Sequence, residues 1–390
     1  MQLNFKNIFI LSTIALIITV SIYIIYKKNK YSLKNTNNKE SEYNLEEVYE
    51  AFIEEEEYIE EEQTASENIL QDTTIHFSAW IAYWDFSQAL ESYKSNTSKI
   101  ESLSPTWYYL KADGTLELKN TARNDTLRDL CKTNNTKLIP TISNSNADDL
   151  SEILNNKDLL INHTNLIVRE VETYQYDGID IDYEYINEVD RDKFTNFISL
   201  LSSELHKNNK VLTIAILWKT NLDSIIEKFS SPRAAQDWSA LGEVVDEFRI
   251  MAYDYTSSAD MSGAIAPKDW ISDILDYGLS KVSDYKIVLG LPLYAYEWTD
   301  GNKGAKALVW NDVQNVKSDK EYIIIEDILD EEKLEKKLTF NNSDITKIIW
   351  YQDSEVTNKR IDLAQTYGIN KFIFWRLGGE DSEIWNLTNN

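Results

Sequence analysis

The run Tyr176-Asp177-Gly178-Ile179-Asp180-Ile181-Asp182-Tyr183-Glu184 constrains the fold more than any other stretch of the chain. Alternate residues of a strand share a face, so Asp180, Asp182 and Glu184 project to one side, about 6.5–7 Å apart, and Ile179, Ile181 and Tyr183 project to the other. Asp177-Gly178 opens the run as a turn. A helix-like segment precedes it from Leu150 to Tyr174, and another follows from Asp190 to Leu205 with Phe194, Phe197, Ile198 and Leu201 on one side. A strand between two such helices is parallel and covered. Its acidic face then points into a barrel or a cleft, because buried unpaired carboxylates are costly. Crowded acids cannot all ionise easily, which raises the proton affinity of at least one and supplies a general acid. A solvated edge strand with an acidic outer face is the structural alternative.

From His76 onward, short β-rich runs alternate with amphipathic helical stretches, the pattern of a parallel sheet with helices outside it. Eight strands are expected: His76 to Trp84, Leu103 to Leu110, Lys137 to Ser143, Tyr176 to Glu184, Val211 to Leu217, Glu247 to Tyr253, Lys286 to Leu293 and Lys371 to Trp375. That number, with seven crossovers, predicts an α/β fold of the (β/α)8 barrel type. The crossover from Tyr294 to Asn370 exceeds what one helix needs. It predicts a small α+β insertion over about 299–350, with strand-like runs at Tyr322 to Ile325 and Ile345 to Gln352. A barrel places its working residues at the C-terminal strand ends. Glu184, Tyr253-Asp254, Tyr294, Trp375, and Tyr83 with Trp84 fall there, and Trp107 and Tyr108 lie in the second strand. Aromatic rings at a barrel mouth stack on sugar C–H faces while carboxylates take the hydroxyls.

Asp177, Asp180, Asp182 and Glu184 fill the four acidic positions of Asp-x-x-Asp-x-Asp-x-Glu, and the chain thereby resembles glycoside hydrolase family 18, the chitinases and related N-acetylhexosaminidases. Met251-Ala252-Tyr253-Asp254 and Gly290-Leu291-Pro292-Leu293-Tyr294 resemble that family's sixth- and seventh-strand patterns, and Trp375 its subsite floor. The resemblance covers most of residues 76 to 385. It implies that Glu184 protonates the glycosidic oxygen, Asp182 orients the substrate's 2-acetamido group, Asp180 shares charge or a proton with Asp182, and Tyr253 hydrogen-bonds the acetamido group. Met251, Asp254, Tyr294, Trp375, Tyr83 and Trp107 are the expected sugar-binding residues. The attacking nucleophile is then the acetamido oxygen, in place of a second carboxylate. Two departures stand out: Ile139 to Asn144 lacks the Ser-x-Gly-Gly of many chitinases, and Ala295 replaces a glycine. With the N-terminal features below, they favour a bacterial wall or cortex glycan over insoluble chitin.

Cys131 is the only cysteine, which excludes an intrachain disulfide and a thiolate zinc site. His76, His163 and His206 lie far apart, so neither a metal nor another cofactor is expected. A formal charge of −26 disfavours nucleic acid and other polyanions. Ile8 to Tyr26 is an uncharged, mainly apolar run long enough to cross a hydrocarbon core of about 30 Å, and residues 1–30 are read as a transmembrane anchor, with a signal peptide as the alternative, disfavoured by the length of the run and by the lack of a small-residue cleavage site after it. Residues 31–72, dominated by Glu46, Glu47, Glu50, Glu54 to Glu57 and Glu60 to Glu62, are read as an extended acidic spacer. The catalytic barrel then spans 73–390. Lys27, Lys28, Lys30 and Lys34 favour a cytoplasmic domain by the positive-inside rule. A wall polysaccharide as substrate favours the opposite, extracytoplasmic placement, which is the expectation adopted.

Other readings of the same residues are a non-catalytic glycan-binding barrel, since fold alone does not establish activity, and an anchored scaffold acting through the acidic tract. Binders usually lose the acid, which Glu184 supplies. A scaffold leaves the carboxylate row unexplained.

Overall fold

The computed structural model describes residues 74–221 and 232–386. Its barrel begins with β1 (His76–Ile81) and β2 (Ile100–Leu110), the latter carrying a short antiparallel β3 (Leu116–Leu118). The third barrel strand is in two pieces, β4 (Lys137–Leu138) and β5 (Thr141–Ser143), followed by β6 (Gly178–Asp182), β7 (Val211–Leu217), β8 (Glu247–Met251) and β9 (Ile287–Pro292). An antiparallel sheet intervenes: β10 (Tyr294–Thr299), β11 (Lys306–Val309), β12 (Tyr322–Asp330), β13 (Glu335–Asn342) and β14 (Ile345–Tyr351). After it, β15 (Lys371–Trp375) is the eighth barrel strand. β15 pairs with both β9 and β1, and β1 pairs with β2, all parallel, so the barrel closes.

Each strand sorts its side chains as the period of two requires. Ile179 and Ile181 are fully buried outward, among side chains such as Phe194, Phe197, Leu212 and Ile214, each contributing about 1.5–3 kcal/mol relative to exposure. Inward residues are unusually polar on one side of the barrel: Ser104, Thr141, Asp180, Thr213 and Arg249 are each 0% exposed. Asparagine and aspartate side chains start the outer helices by accepting otherwise unpaired backbone N–H groups. Asn146 caps Ala147–Asn155, Asn156 caps Lys157–Thr173 and Asp353 caps Ser354–Gln365.

Several boundaries differ from the sequence expectation for identifiable reasons. The single helix expected over Leu150 to Tyr174 is two, because Asn156 is extended (φ −112°, ψ 109°) and caps the second. Pro140, which has no N–H for a ladder, separates β4 from β5. The first strand stops at Ile81, so Tyr83 and Trp84 lie in the turn Tyr83–Asp85 beyond it. The insertion starts at Tyr294, before 299. It is a five-stranded sheet whose strand Tyr322–Asp330 forms a hairpin with the unforeseen Glu335–Asn342. The expected anchor Ile8 to Tyr26 and the acidic spacer lie outside the described residues. Among the described residues no helix is long and apolar enough to cross a membrane.

Candidate active site

Strand register builds the centre of the site. Asp180 is the lateral partner of Thr141 in β5 and of Thr213 in β7. Their hydroxyls donate to its two carboxylate oxygens, Thr141 Oγ1 to Oδ2 at 2.9 Å and Thr213 Oγ1 to Oδ1 at 2.6 Å. Trp80 Nε1 donates to Oδ2 at 2.9 Å, and Arg249 Nη1 lies 3.3 Å from Oδ1. Asp180 is thus wholly buried yet fully surrounded by donors, the condition under which a buried carboxylate is tolerated.

Two residues on, Asp182 ends β6 on the same inward face. Ser143, its register partner, donates to Oδ2 at 2.8 Å, whereas the buried Oδ1 has no hydrogen-bond partner among the described residues. Burial, then the charges of Glu184 and Asp180, push the Asp182 carboxyl well above the usual aspartate range, opposed by the Ser143 bond. Glu184 follows just beyond the strand end. Burial first and the Asp254 charge second raise it too. At neutral pH the row therefore retains a proton more readily than solvated acids do.

Asp182, Glu184, Met251, Tyr253, Asp254 and Trp375 line one hollow of about 230 Å³ at the C-terminal end of the barrel. Asp254 sits at φ +60° after β8 and accepts bonds from the Tyr294 and Tyr296 hydroxyls. Burial raises its carboxyl while those two phenols lower it. The Tyr253 phenol is raised by burial and then by Asp182, Glu184 and Asp254, with which it lines the hollow. Aromatic walls of Trp80, Trp218 and Trp375 complete the hollow.

The remaining expected residues fall elsewhere. Tyr294 begins β10 and acts on Asp254. Tyr83 stacks edge-on against Trp84, whose ring in turn meets Trp375 at 6.2 Å, placing the pair beside the hollow. Trp107 is a correction: it is 0% exposed in the outer core, 5.9 Å from the Tyr176 ring, and packs there without reaching the cleft. Trp107 points outward by simple alternation, one residue after the inward Thr106 and three after the inward Ser104, and the register irregularity that follows turns Tyr108 outward as well. Sequence reasoning missed Trp80, Trp218, Ser143 and Arg249. Alternation along β1 and β8 was the available signal for Trp80 and Arg249, since each is two or more even steps from another inward residue. Trp218 and Ser143 lie at strand ends, where the same barrel rule applies.

The signature of the family described as glycosyl hydrolases family 18 matches residues 28–380. The uncharacterized glycosylase YvbX of Bacillus subtilis is 26% identical over 245 residues, 61% of this chain and 68% of that protein. The cortical fragment-lytic enzyme of Bacillus subtilis is 24% identical over 277 residues, 67% of this chain and 61% of its own length, so the chain spans less than two thirds of that relative. Among solved structures, the Bacillus cereus spore cortex-lytic enzyme SleL superposes with a TM-score of 0.72 at 19% identity, covering 80% of this chain and 73% of that one, a likeness of fold. With an acidic row at the mouth of a closed barrel and a family match over most of its length, the chain belongs to glycosyl hydrolases family 18 and is a glycoside hydrolase.

Proposed function

We propose that this hydrolase cleaves β-1,4 bonds next to N-acetylglucosamine with net retention, using the substrate's own acetamido oxygen as nucleophile. The observation that carries the reading is Asp182: a buried carboxyl between Asp180 and Glu184 with Oδ1 left for a ligand donor. An acetamido N–H is such a donor. In this scheme Glu184, kept protonated by burial and by Asp254, gives its proton to the glycosidic oxygen as the C1–O bond breaks. The acetamido oxygen bonds to C1 from the other face. Asp182 stabilises the resulting positive ring and Tyr253 fixes the acetamido group. Water, deprotonated by Glu184, then opens the ring and restores the acid. Trp375 supplies a stacking surface and Asp254 a hydroxyl partner.

The substrate class favoured is a bacterial wall or cortex polysaccharide of the peptidoglycan type, with chitin second. The named activities of the relatives support this choice. Digestion of purified peptidoglycan and of chitin oligomers, with the new reducing ends identified by mass spectrometry, tests both bond and substrate. Glu184→Gln should keep glycan binding and lose about two to four orders of magnitude in turnover. Wild-type turnover in that variant would remove Glu184 from the role.

The proposed setting is the outer face of a membrane, anchored through Ile8 to Tyr26, with the lysines after the span arguing the other way. Protease digestion of intact cells decides it: a protected domain means a cytoplasmic one.

A further inference from the structure

Below the acidic row the barrel holds a guanidinium. Arg249 is 0% exposed. Nη1 lies 3.3 Å from Asp180 Oδ1 and donates to Ser104 Oγ at 2.6 Å, while Nε and Nη2 donate to Glu247 Oε2 at 3.0 and 2.7 Å. Inward positions of barrels are ordinarily filled by branched apolar residues, and a buried charge persists only when paired and hydrogen-bonded. Here the partner is a carboxyl at the root of the row. Glu247 is at the barrel's rim, 22% exposed, and shares the same cation.

We propose that Arg249 is a positioning residue, the internal counter-ion of Asp180, and that through Asp180 it decides which carboxyl of the row carries the proton. The argument rests on the catalytic reading of Asp182 and Glu184 given above. Every group that meets Asp180 from the strands around it is a donor: Trp80 from β1, Thr141 from β5, Thr213 from β7 and Arg249 from β8. Arg249 is the cation that meets Asp180, and the charge of Asp180 acts on Asp182 and Tyr253 at the mouth side, where Glu184 and Asp254 line the same hollow. A fixed negative charge under Asp182 pushes the row's proton outward, toward the residues that touch substrate. Without the guanidinium, Asp180 itself becomes the most favourable place for that proton, because an uncompensated buried carboxylate is the costliest group in the set.

Two readouts separate this from a merely structural role, and both use the full chain. The first needs no turnover. The Trp80 indole N–H donates to Asp180, so its NMR resonance, assigned with Trp80→Phe, reports the charge on Asp180. Its pH-dependent transition should lie at higher pH in Arg249→Met than in the wild type, because the variant lacks the cation beside that carboxylate. The titration should disappear in Arg249→Met combined with Asp180→Asn, and Arg249→Lys should restore the wild-type behaviour. The second is the pH profile of kcat/KM, whose limbs do not depend on how much of the protein folds. Both limbs should move upward in Arg249→Met, because loss of a cation beneath the row makes its carboxyls harder to ionise. Glu247→Gln, at a half-buried position that tolerates the change, frees the cation for Asp180 and should move them slightly downward.

A Trp80 resonance that behaves alike in wild type and Arg249→Met, or limbs that stay in place in both variants while turnover merely falls, would overturn the proposal. If the wild type hydrolyses no glycan, the functional reading fails, and the Trp80 titration still decides the role of Arg249.

Discussion

Trp80 donates its indole N–H to Asp180 across the barrel interior at 2.9 Å, tying the first strand to the fourth through residues one hundred positions apart. The bond is buried at both ends, with Trp80 2% and Asp180 0% exposed. Trp80→Phe keeps most of the apolar volume and removes one donor from a buried carboxylate. The expected loss of stability is about 1.5–3 kcal/mol, the range for hydrogen bonds to charged groups. Chemical denaturation of the two proteins measures it, and an unchanged midpoint would show that Asp180 does not depend on this donor.

Asp254 should set the upper end of the working pH range. Its charge is the second cause, after burial, of the raised Glu184 carboxyl. A negative neighbour makes the proton harder to remove, so neutralising it makes Glu184 a stronger acid. In Asp254→Asn the basic limb of the kcat/KM profile should move to lower pH, with lower turnover at neutral pH. A basic limb that stays put would assign the proton loss to another group.

His163 links stability to pH. It is almost wholly buried, with Nδ1 2.7 Å from the Gly114 carbonyl and Nε2 2.8 Å from the Tyr183 hydroxyl, and burial pulls it from 6.5 down to about 4. The unfolded chain therefore binds a proton that the folded one refuses. Stability should be undiminished by this group above pH 6.5 and fall progressively as the pH drops toward about 4, by about 3 kcal/mol in total. Urea titrations of wild type and His163→Gln across that window test it, since the variant should show a shallower slope.

Gly178 admits no side chain. A Cβ there would lie 2.2 Å from the Val211 carbonyl oxygen and 2.5 Å from its Cγ2, and the first of these is backbone of the neighbouring strand β7. The ladder cannot yield without displacing Asp180 and Asp182, which follow in the same strand. Gly178→Ala should cost about 3 kcal/mol, the upper part of the range for overpacking, and lower the thermal midpoint. A variant as stable as the wild type would mean that β6 and β7 slide freely.

Much of the barrel was legible because alternation along a strand and helical spacing between strands are local properties. The eight strands and the acidic row with Asp182 and Glu184 follow from them, whereas Met251, Tyr253, Asp254 and Trp375 of the hollow came from the strand-end rule of a barrel and the family resemblance. What local pattern could not supply is which strands face one another. The sequence does not say that Trp80 reaches Asp180 or that Arg249 lies beneath it, because each contact depends on closure of the barrel and on the register of separate strands.

By itself the chain determined the kind of fold, the face on which its acids stand and the order in which they come, since those depend on residues a few positions apart. Tertiary structure alone decided which oxygens are paired, which carboxyls are buried and that Trp107 is core, because burial and charge compensation are properties of neighbours brought together from distant parts of the sequence.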